Sequence, residues 1–153
     1  MKPTPTQAGH IQVKRHPTDA FAGTCPFHGD CVEGMCSTGA LAARAGIPAT
    51  DLPTLPDDSE VWDHCAYYIA QLCVTLVLIA SPELICIGGG VLNRASLYPR
   101  IRAYVLALLR GYVVHESLTE ENIDTFIRPS HWGSKAGLVG AVYLAKLAAE
   151  ESI

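Results

Sequence analysis

The order of the predicted elements indicates an α/β fold. Residues 84–87 form a short, wholly apolar run that ends in the glycines at 88–90, a pattern typical of a strand buried on both faces. A second stretch, at 125–128, ends at Pro129 and predicts another strand. Apolar residues recur at helical spacing elsewhere, most clearly over residues 59–80. The predicted order strand, helix, helix, strand, helix, strand, helix is typical of layered α/β proteins.

The remaining elements follow from local signals. Residues 10–15 alternate well enough for a strand, residues 17–29 read as an irregular loop, and Asp30 can cap a helix over 30–44. Further along we expect a surface linker at 49–58, helices at 59–80 and 97–112, and a polar turn at 119–122. Trp132 is expected in the core or in a pocket wall, and the core is favoured. In a final helix at 136–150, Gly137 and Gly140 allow close packing. Residues 1–9 are expected to be disordered or a cut edge, and the domain spans residues 10–150.

The composition describes one compact domain. The chain has 153 residues, of which 49% are hydrophobic and 17% are charged. The net charge of −4 and the scattered basic residues argue against nucleic-acid binding. No apolar leader follows Met1, and the longest apolar run, residues 66–80, is too short to span a bilayer. We therefore expect a cytoplasmic protein with no membrane partner, whose six cysteines are reduced.

A cluster of cysteine and histidine residues predicts a metal site. Cys25, His28 and Cys31 lie three residues apart in turn, and Pro26 and Gly29 bend the chain between them. Thiolate sulfur and imidazole nitrogen are ligands that tetrahedral zinc favours. The spacing therefore predicts a structural Zn²⁺ site.

The fourth ligand has two candidates. His10, fifteen residues before Cys25, is the better one, because His16 follows the predicted strand and precedes Pro17. We call residues 10–36 the metal loop, and we expect metal to supply the order that this irregular segment lacks. The alternative is that the cysteines are separate core residues or half-cystines without metal.

Two further features have both a ligand-binding and a purely structural interpretation. Glycines at 88–90 after a buried strand let backbone approach a phosphate or an adenosine, yet many strands end in such turns without a ligand. No Lys-Ser/Thr pair follows, so the turn is not a Walker A loop. Glu33, two residues after Cys31, would interact favourably with the dipole of its helix.

The metal loop resembles a known family. Its sequence GHI-x-V-x-RHP, followed by F-x-G-x-CPFHGDC-x-EG, is similar to the zinc-bearing core of the ROK sugar kinases, in particular their bacterial-type fructokinases. The similarity continues through ASPELICIGGGVL and AGLVGAVYLA, and it corresponds to the C-terminal half of the family. It implies the C-terminal lobe of the actin-like, ribonuclease-H-like ATPase fold with a zinc-binding loop. It also implies phosphorylation of a hexose, fructose, at the 6-hydroxyl by ATP and Mg²⁺.

The resemblance also implies roles for individual residues. Glu33 would hydrogen-bond sugar hydroxyls, and His10 would both ligate zinc and lie beside the sugar. Gln7 stands where the family usually has a glutamate, and its amide lacks the charge that strengthens hydrogen bonds to hydroxyls. The nucleotide pocket would be lined by Gly39, in a segment where relatives typically have Ser-Gly-Pro-Ala-Ile, and by Gly88, Gly89 and Gly90.

Two parts of a sugar-kinase active site are missing from this sequence. The Asp-x-Gly-Gly-Thr phosphate turn of the family does not occur, and Asp19, Asp30 and Asp124 lack the neighbours of its catalytic aspartate. We therefore expect the chain to be inactive alone, and to meet the missing N-terminal lobe or to self-associate. The alternative is a non-catalytic, zinc-stabilised truncated homologue that acts as a binding or partner domain. A ROK repressor would need a helix-turn-helix, which the sequence does not indicate.

Overall fold

The structure, a computed structural model, describes residues 7–150. The α-helices and strands are α1 (Val32–Cys36), α2 (Thr38–Ala45), α3 (Glu60–Ala80), β1 (Ile85–Ile87), α4 (Leu97–Leu109), α5 (Ile123–Phe126), β2 (Ile127–Pro129) and α6 (Ala136–Glu150), with 3-10 turns at Ala8–His10, Ala49–Thr54, Val91–Asn93 and Gly133–Lys135. The two strands are parallel, with Ile85 opposite Ile127. This mixed architecture with a parallel pair is compatible with the predicted α/β class. Of the expected disordered start, residues 1–6 lie outside the described part.

The hydrophobic core lies where α3 and α4 pack together. α3 begins after Ser59, whose hydroxyl accepts a hydrogen bond from the Val61 N–H, and it ends at Ser81, which has a φ of 45°. The largest fully buried side chains come from α1, α2, α3, α4 and β2 and are Tyr68, Met35, Leu41, Leu97, Ile101, Ile127 and Val105. These elements therefore share one core, against which the metal loop is held.

α3 satisfies the length and composition of a membrane-spanning helix, as core helices of soluble proteins also can. In this protein 44% of its most apolar window is buried. The burial supports the expectation of a core helix over residues 66–80, although Leu78 and Ile79 near its end are 51% and 80% exposed.

Residues 30–44 form two helices, whereas the sequence predicted one. Ser37 interrupts them with an extended backbone (φ −62°, ψ 156°). Its N–H donates to the Glu33 carbonyl (3.0 Å), and its hydroxyl accepts from the Ala40 N–H (3.2 Å). One serine thus ends α1 and caps α2, because its side chain offers the backbone an alternative to a continuous helix.

The predicted strand at 10–15 is not formed. Gln12 makes a single antiparallel bridge to Cys31. Lys14 instead binds the amide of Gln71 on α3, donating its N–H to Oε1 (2.7 Å) and accepting from Nε2 at its carbonyl (2.9 Å). A side chain of α3 thus occupies the backbone groups that a neighbouring strand would need.

The strand pair also differs from the prediction. Ile123–Phe126 form a helical turn, so that β2 begins at Ile127. The prediction that β1 is buried on both faces is wrong, since Ile85 is 7% exposed whereas Cys86 is an exposed residue. α4 packs against β2 on one side, and the described residues leave the Cys86 face in solvent.

α6 buries none of its residues in the described part of the chain. The close packing expected at Gly137 and Gly140 is not observed, since a Cβ built on either glycine would have nothing within 4 Å beyond its own helix backbone. Leu138 and Leu144 are 68% and 66% exposed, and Trp132, for which a core position was favoured, is 56% exposed. The C-terminal segment therefore presents an apolar surface without a cover among residues 7–150.

A buried polar network fixes the first part of the metal loop. Asp19 is 5% exposed, and its Oδ2 accepts from the Tyr68 hydroxyl (2.6 Å) and from Arg44 Nη2 (3.0 Å). Its Oδ1 accepts from the Phe21 N–H (3.0 Å), and Arg44 also donates to the Met35 carbonyl (2.8 Å). Burial raises the pKa of Asp19, but the hydrogen bonds from Tyr68, Phe21 and Arg44 outweigh burial and lower this pKa below its usual value. A charged carboxylate thus ties the loop to α1, α2 and α3.

We expect Asp19→Asn to lower the free energy of unfolding at neutral pH by about 3–5 kcal/mol, because it leaves the buried Arg44 charge without its partner. The folded-state pKa of Asp19 lies below its unfolded value of 3.8. The stabilisation is therefore present above the unfolded pKa and is lost as the pH falls through the lower folded-state pKa. The difference in the free energy of unfolding between the variant and the wild type should become smaller in acid. Urea unfolding at several pH values measures this difference.

The matched control is Asp58→Asn, the same change at an exposed residue. It should alter the free energy of unfolding by less than about 0.5 kcal/mol. A deficit in Asp19→Asn that stays constant down to the most acidic pH would contradict the role given to the carboxylate charge.

Candidate functional site

The four predicted metal ligands converge in the metal loop. The ligand atoms of His10, Cys25, His28 and Cys31 all lie within 4.8 Å of one another, and His16 lies outside this cluster. His10 Nδ1 is 3.8 Å from Cys25 Sγ and 3.7 Å from Cys31 Sγ, and His28 Nδ1 is 3.8 Å from Cys25 Sγ. A tetrahedral zinc ion with bonds of about 2.3 Å to sulfur and about 2.0 Å to nitrogen would hold such atoms about 3.5 Å apart. The donor set and the spacing therefore fit zinc.

A tight turn and a helical glycine build this cluster. Cys25 and Gly29 exchange two backbone hydrogen bonds (3.1 and 2.9 Å), and Gly29 has a φ of 67°. Gly34 of α1 packs against this turn so closely that a Cβ on it would lie 2.0 Å from the Gly29 carbonyl oxygen. Gly34 is not among the predicted site residues, although an isolated glycine inside a predicted helix often has a packing reason.

The two cysteines of the cluster differ in pKa. Hydrogen bonds from the backbone of His28 and then of Phe27 lower the pKa of the Cys25 thiol to about 7. Burial raises the pKa of Cys31, and the neighbouring Cys25 raises it further. Cys25 is thus the more readily ionised thiol of the two, and binding of a metal would release the proton of Cys31.

Glu33 contacts the cluster through His10. His10 Nε2 lies 3.0 Å from Glu33 Oε2, whereas its Nδ1 faces the two sulfurs. A carboxylate on the distal nitrogen is the arrangement that orients metal-binding histidines. A Cβ built on Gly9 would lie 3.8 Å from Glu33 Cβ and 3.9 Å from Gln7 Nε2. The structure thus places Glu33 beside His10, whose N–H donates to the Gln7 carbonyl (3.2 Å), and the Glu33 side chain is 46% exposed to solvent.

The glycine turn lies at the carboxyl end of β1. Gly89 has a φ of 106°, a conformation that L side chains rarely adopt. Gly88 and Gly89 line a cavity of about 220 Å³, and Gly90 lines an adjoining cavity of about 610 Å³. Asn93 lines both. In α/β proteins ligands bind in the crevice beyond the carboxyl ends of parallel strands, where these cavities lie.

α2 forms part of the wall of the larger cavity. Thr38 and Leu41 line it together with Gly90, whereas Gly39 is an exposed residue beside the cavity and not part of its lining. The volume falls within the range of about 300–1,000 Å³ typical of small-molecule sites. The predicted nucleotide residues are thus divided between the two adjoining cavities and the start of α2.

Comparison with known proteins identifies the family. The profile of the ROK family matches residues 3–148. The chain belongs to the ROK family. This confirms the resemblance inferred from the metal loop.

Curated relatives of this ROK chain carry the name fructokinase. A putative fructokinase of Bacillus subtilis (strain 168) is 40% identical over 139 residues, which cover 91% of this chain and 45% of the relative. The fructokinase of Pediococcus pentosaceus is 37% identical over 145 residues, covering 95% and 48%. That of Lactococcus lactis subsp. cremoris is 36% identical over 142 residues, covering 92% and 47%. The ROK chain spans about half the length of the curated relatives it matches.

Several residues that line the larger cavity of this ROK chain were not predicted from the sequence as site residues. Asp57, Trp62, Arg94 and Ser96 all line it. Asp57 belongs to the stretch predicted to be a surface linker, and Arg94 and Ser96 follow the glycine turn with no recognisable spacing. Only the packing of these segments brings them together, so the sequence carried no usable signal for this group.

We expect the ROK chain purified without added metal to hold one zinc ion, and Cys31→Ser to lose it, because a hydroxyl is a poor substitute for a buried thiolate ligand. Elemental analysis of the two proteins measures the metal content. Cys86→Ser, which makes the same change at an exposed cysteine outside the cluster, should keep the metal. Less than about a tenth of a zinc ion per wild-type chain, with the fold intact, would contradict the assignment.

Proposed function

We propose that this ROK chain is the C-terminal lobe of a fructokinase-type sugar kinase, in which ATP phosphorylates fructose or another hexose at the 6-hydroxyl. The observation that carries the proposal is the contact between Glu33 and His10 of the Cys/His cluster, at positions that resemble the sugar site of the family. Relatives named fructokinase, 34–40% identical to this chain, support the same class of reaction.

Glu33, His10 and Gln7 would form the sugar side of the site. His10 holds Oε2 of Glu33, and among residues 7–150 nothing binds Oε1, which could accept hydrogen bonds from sugar hydroxyls. Gln7 can donate and accept, but without the charge that would strengthen its hydrogen bonds. Glu33 would therefore contribute more to sugar affinity than Gln7.

Zinc on His10, Cys25, His28 and Cys31 would have a structural role. It would contribute free energy to folding of the metal loop and no step of phosphoryl transfer. Because one of its ligands is His10, the zinc would also fix the position of Glu33, whose carboxylate His10 contacts.

The glycine turn and α2 would hold the nucleotide. Backbone at Gly88, Gly89 and Gly90 would approach the phosphates, since no side chains at these positions obstruct them. Gly39 and its neighbour Thr38 would stand across the larger cavity, which Thr38 and Gly90 both line. Mg²⁺ would enter bound to the phosphates of ATP.

The general base would come from another lobe. Among the described residues, Asp19 is buried against Arg44 (3.0 Å) and Asp30 is bound by Arg15 (2.9 Å). Asp124 lies in α5 beside Arg102, which donates to its carbonyl (3.4 Å). None of the three contacts Glu33, so none is set to take a proton from a sugar held there.

Uncovered surfaces support the proposed second lobe. α6 buries no residue, and the Cys86 face of β1 is open to solvent in the described part. Each relative has about as much further chain as the part matched here. We therefore propose the C-terminal lobe of the actin-like ATPase fold, completed by a lobe equivalent to that unmatched half.

All six cysteines are free, which supports a reducing, cytoplasmic compartment.

A second candidate function is a non-catalytic, zinc-stabilised binding domain. The observation that favours it is a full Cys/His cluster together with the apolar, uncovered α6 in a chain of half the relatives' length. Such a domain would bind a partner protein through α6 and would turn over no sugar.

With ATP, Mg²⁺ and fructose, the chain alone should give no turnover above background. Absence of a general base alone lowers a rate by about 10²–10⁴-fold, and poor positioning of the γ-phosphate lowers it further. An assay coupled to ADP release measures this. Turnover at ordinary kinase rates, about 1–100 s⁻¹, that Glu33→Ala abolishes would contradict the half-site interpretation.

The complementary experiment supplies the second lobe. Co-expression with the unmatched part of the Bacillus subtilis relative should give a complex with kinase activity that Glu33→Ala abolishes and Glu116→Ala, at another exposed glutamate, retains. A stable complex without activity would favour the binding domain.

Without a partner, the chain should self-associate through α6, because contiguous exposed apolar side chains bind one another in water. Leu144→Glu should shift the distribution towards monomer in analytical ultracentrifugation. Val114→Glu, at a residue that is 94% exposed outside α6, is the control and should leave the distribution unchanged. A wild-type chain that stays monomeric at high concentration would contradict this prediction.

A further inference from the structure

The larger cavity contains a carboxylate with one oxygen left open. Asp57 lines the cavity, and its Oδ1 accepts hydrogen bonds from the Ser96 hydroxyl (2.8 Å) and from Arg94 Nη1. Arg100 Nη2 donates to the Asp57 backbone carbonyl (2.8 Å), which fixes the residue itself. Within residues 7–150 no donor binds Oδ2. The protein thus holds and orients the carboxylate while leaving one acceptor atom for something else.

Arg94 removes the charge that would otherwise repel a phosphorylated ligand. Besides Asp57, it donates to the Leu52 and Pro53 carbonyls (3.4 and 3.0 Å). Its guanidinium lies 4.2 Å from the centre of the Trp62 ring. These contacts keep a positive charge beside Asp57, so the pair is close to neutral. Hydrogen bonds from Ser96 and then from Arg94 hold the pKa of Asp57 below its usual value. At neutral pH the carboxylate is therefore ionised and can accept hydrogen bonds but cannot donate them.

The position of this acceptor indicates the part of a ligand that it meets. Gly90 lines the same cavity, and Gly88 and Gly89 line the smaller one at the end of β1, where phosphates are expected. With the phosphates at the turn, the larger cavity is left for the nucleoside. A nucleoside offers donors of two kinds, the ribose hydroxyls and an exocyclic amino group.

We propose that Asp57 determines specificity for the nucleoside, by accepting at Oδ2 a hydrogen bond from a ribose hydroxyl or an exocyclic amino group. The inference rests on the proposed nucleotide site and adds to it a residue that distinguishes one nucleoside from another. Arg94 and Ser96 are positioning residues, since they hold Oδ1.

The test uses Trp62 as a reporter of ATP binding. The chain has two tryptophans, so Trp132→Phe leaves Trp62, with Arg94 on its face, as the single indole. In that background, ATP is titrated into chains with Asp57, with Asp57→Asn and with Asp58→Asn, while fluorescence and calorimetry are recorded. Asparagine keeps an acceptor for Ser96 and Arg94 but puts an N–H₂ where Oδ2 was.

Asp57→Asn should weaken ATP binding by about tenfold or more, the usual size for loss of a hydrogen bond to a charged group. Simple electrostatics predicts the opposite sign, because removing a negative charge near a triphosphate strengthens its binding. The control Asp58→Asn makes this charge change one residue away, outside the cavity lining, and should leave the affinity unchanged or slightly stronger.

Modified nucleotides, titrated into the chain that keeps Asp57, identify which group of the nucleotide donates the hydrogen bond. A loss of affinity with 2′-deoxy- or 3′-deoxy-ATP that is absent in Asp57→Asn identifies the ribose, and the same behaviour with inosine triphosphate identifies the amino group. These arms also keep the proposal testable if Asp57→Asn folds poorly, because equal affinity of the Asp57 chain for all four nucleotides would overturn it.

The outcomes separate this proposal from the one on which it rests. Equal affinity for ATP of the chain that keeps Asp57 and of the Asp57→Asn variant would overturn the role of Asp57 while leaving the nucleotide site in place. No binding of ATP to any chain, by fluorescence or calorimetry, would overturn both.

Discussion

The buried ion pair of Asp19 and Arg44 is the contact on which the metal loop depends. A carboxylate and a guanidinium that leave water lose several kcal/mol of solvation each, so such a pair is stable only where hydrogen bonds satisfy its remaining atoms. Here the Tyr68 hydroxyl, the Phe21 N–H and the Met35 carbonyl do so. The loop has little regular structure of its own, and this network fixes its path from the core towards Cys25.

The second constraint lies where the loop meets α1. Gly34 leaves no space for a side chain between α1 and the turn formed by Cys25 and Gly29. The turn is therefore pressed onto the first residues of a helix that also carries Glu33. His10 then joins the cluster to the Glu33 carboxylate at 3.0 Å. The predicted metal ligands and the proposed sugar contact thus belong to one packed unit, so a change in the position of one alters the position of the other.

Local patterns predicted the metal cluster and the family, whereas long-range contacts decided what the sequence left open. The spacing of Cys25, His28 and Cys31 is enough to bring them together, because a turn of a few residues does so in any fold. The missing strand at 10–15 depends on Gln71, some 57 positions from the residue it binds. Asp57 likewise binds Arg94 and Ser96, which lie 37 and 39 positions further along the chain. No local pattern encodes contacts at such separations.

Ser37 links the two proposed substrate sites within one segment of chain. It ends α1, which carries Glu33, and it caps α2, whose first residue, Thr38, lines the larger cavity. A continuous helix would aim both residues along one axis, whereas the extended backbone at Ser37 redirects α2 towards the cavity. Its hydrogen bonds to Glu33 and Ala40 hold that angle. In the proposed kinase, the relation between sugar and nucleotide is then set inside this lobe, and the partner lobe has to add the base and the charge that complete phosphoryl transfer.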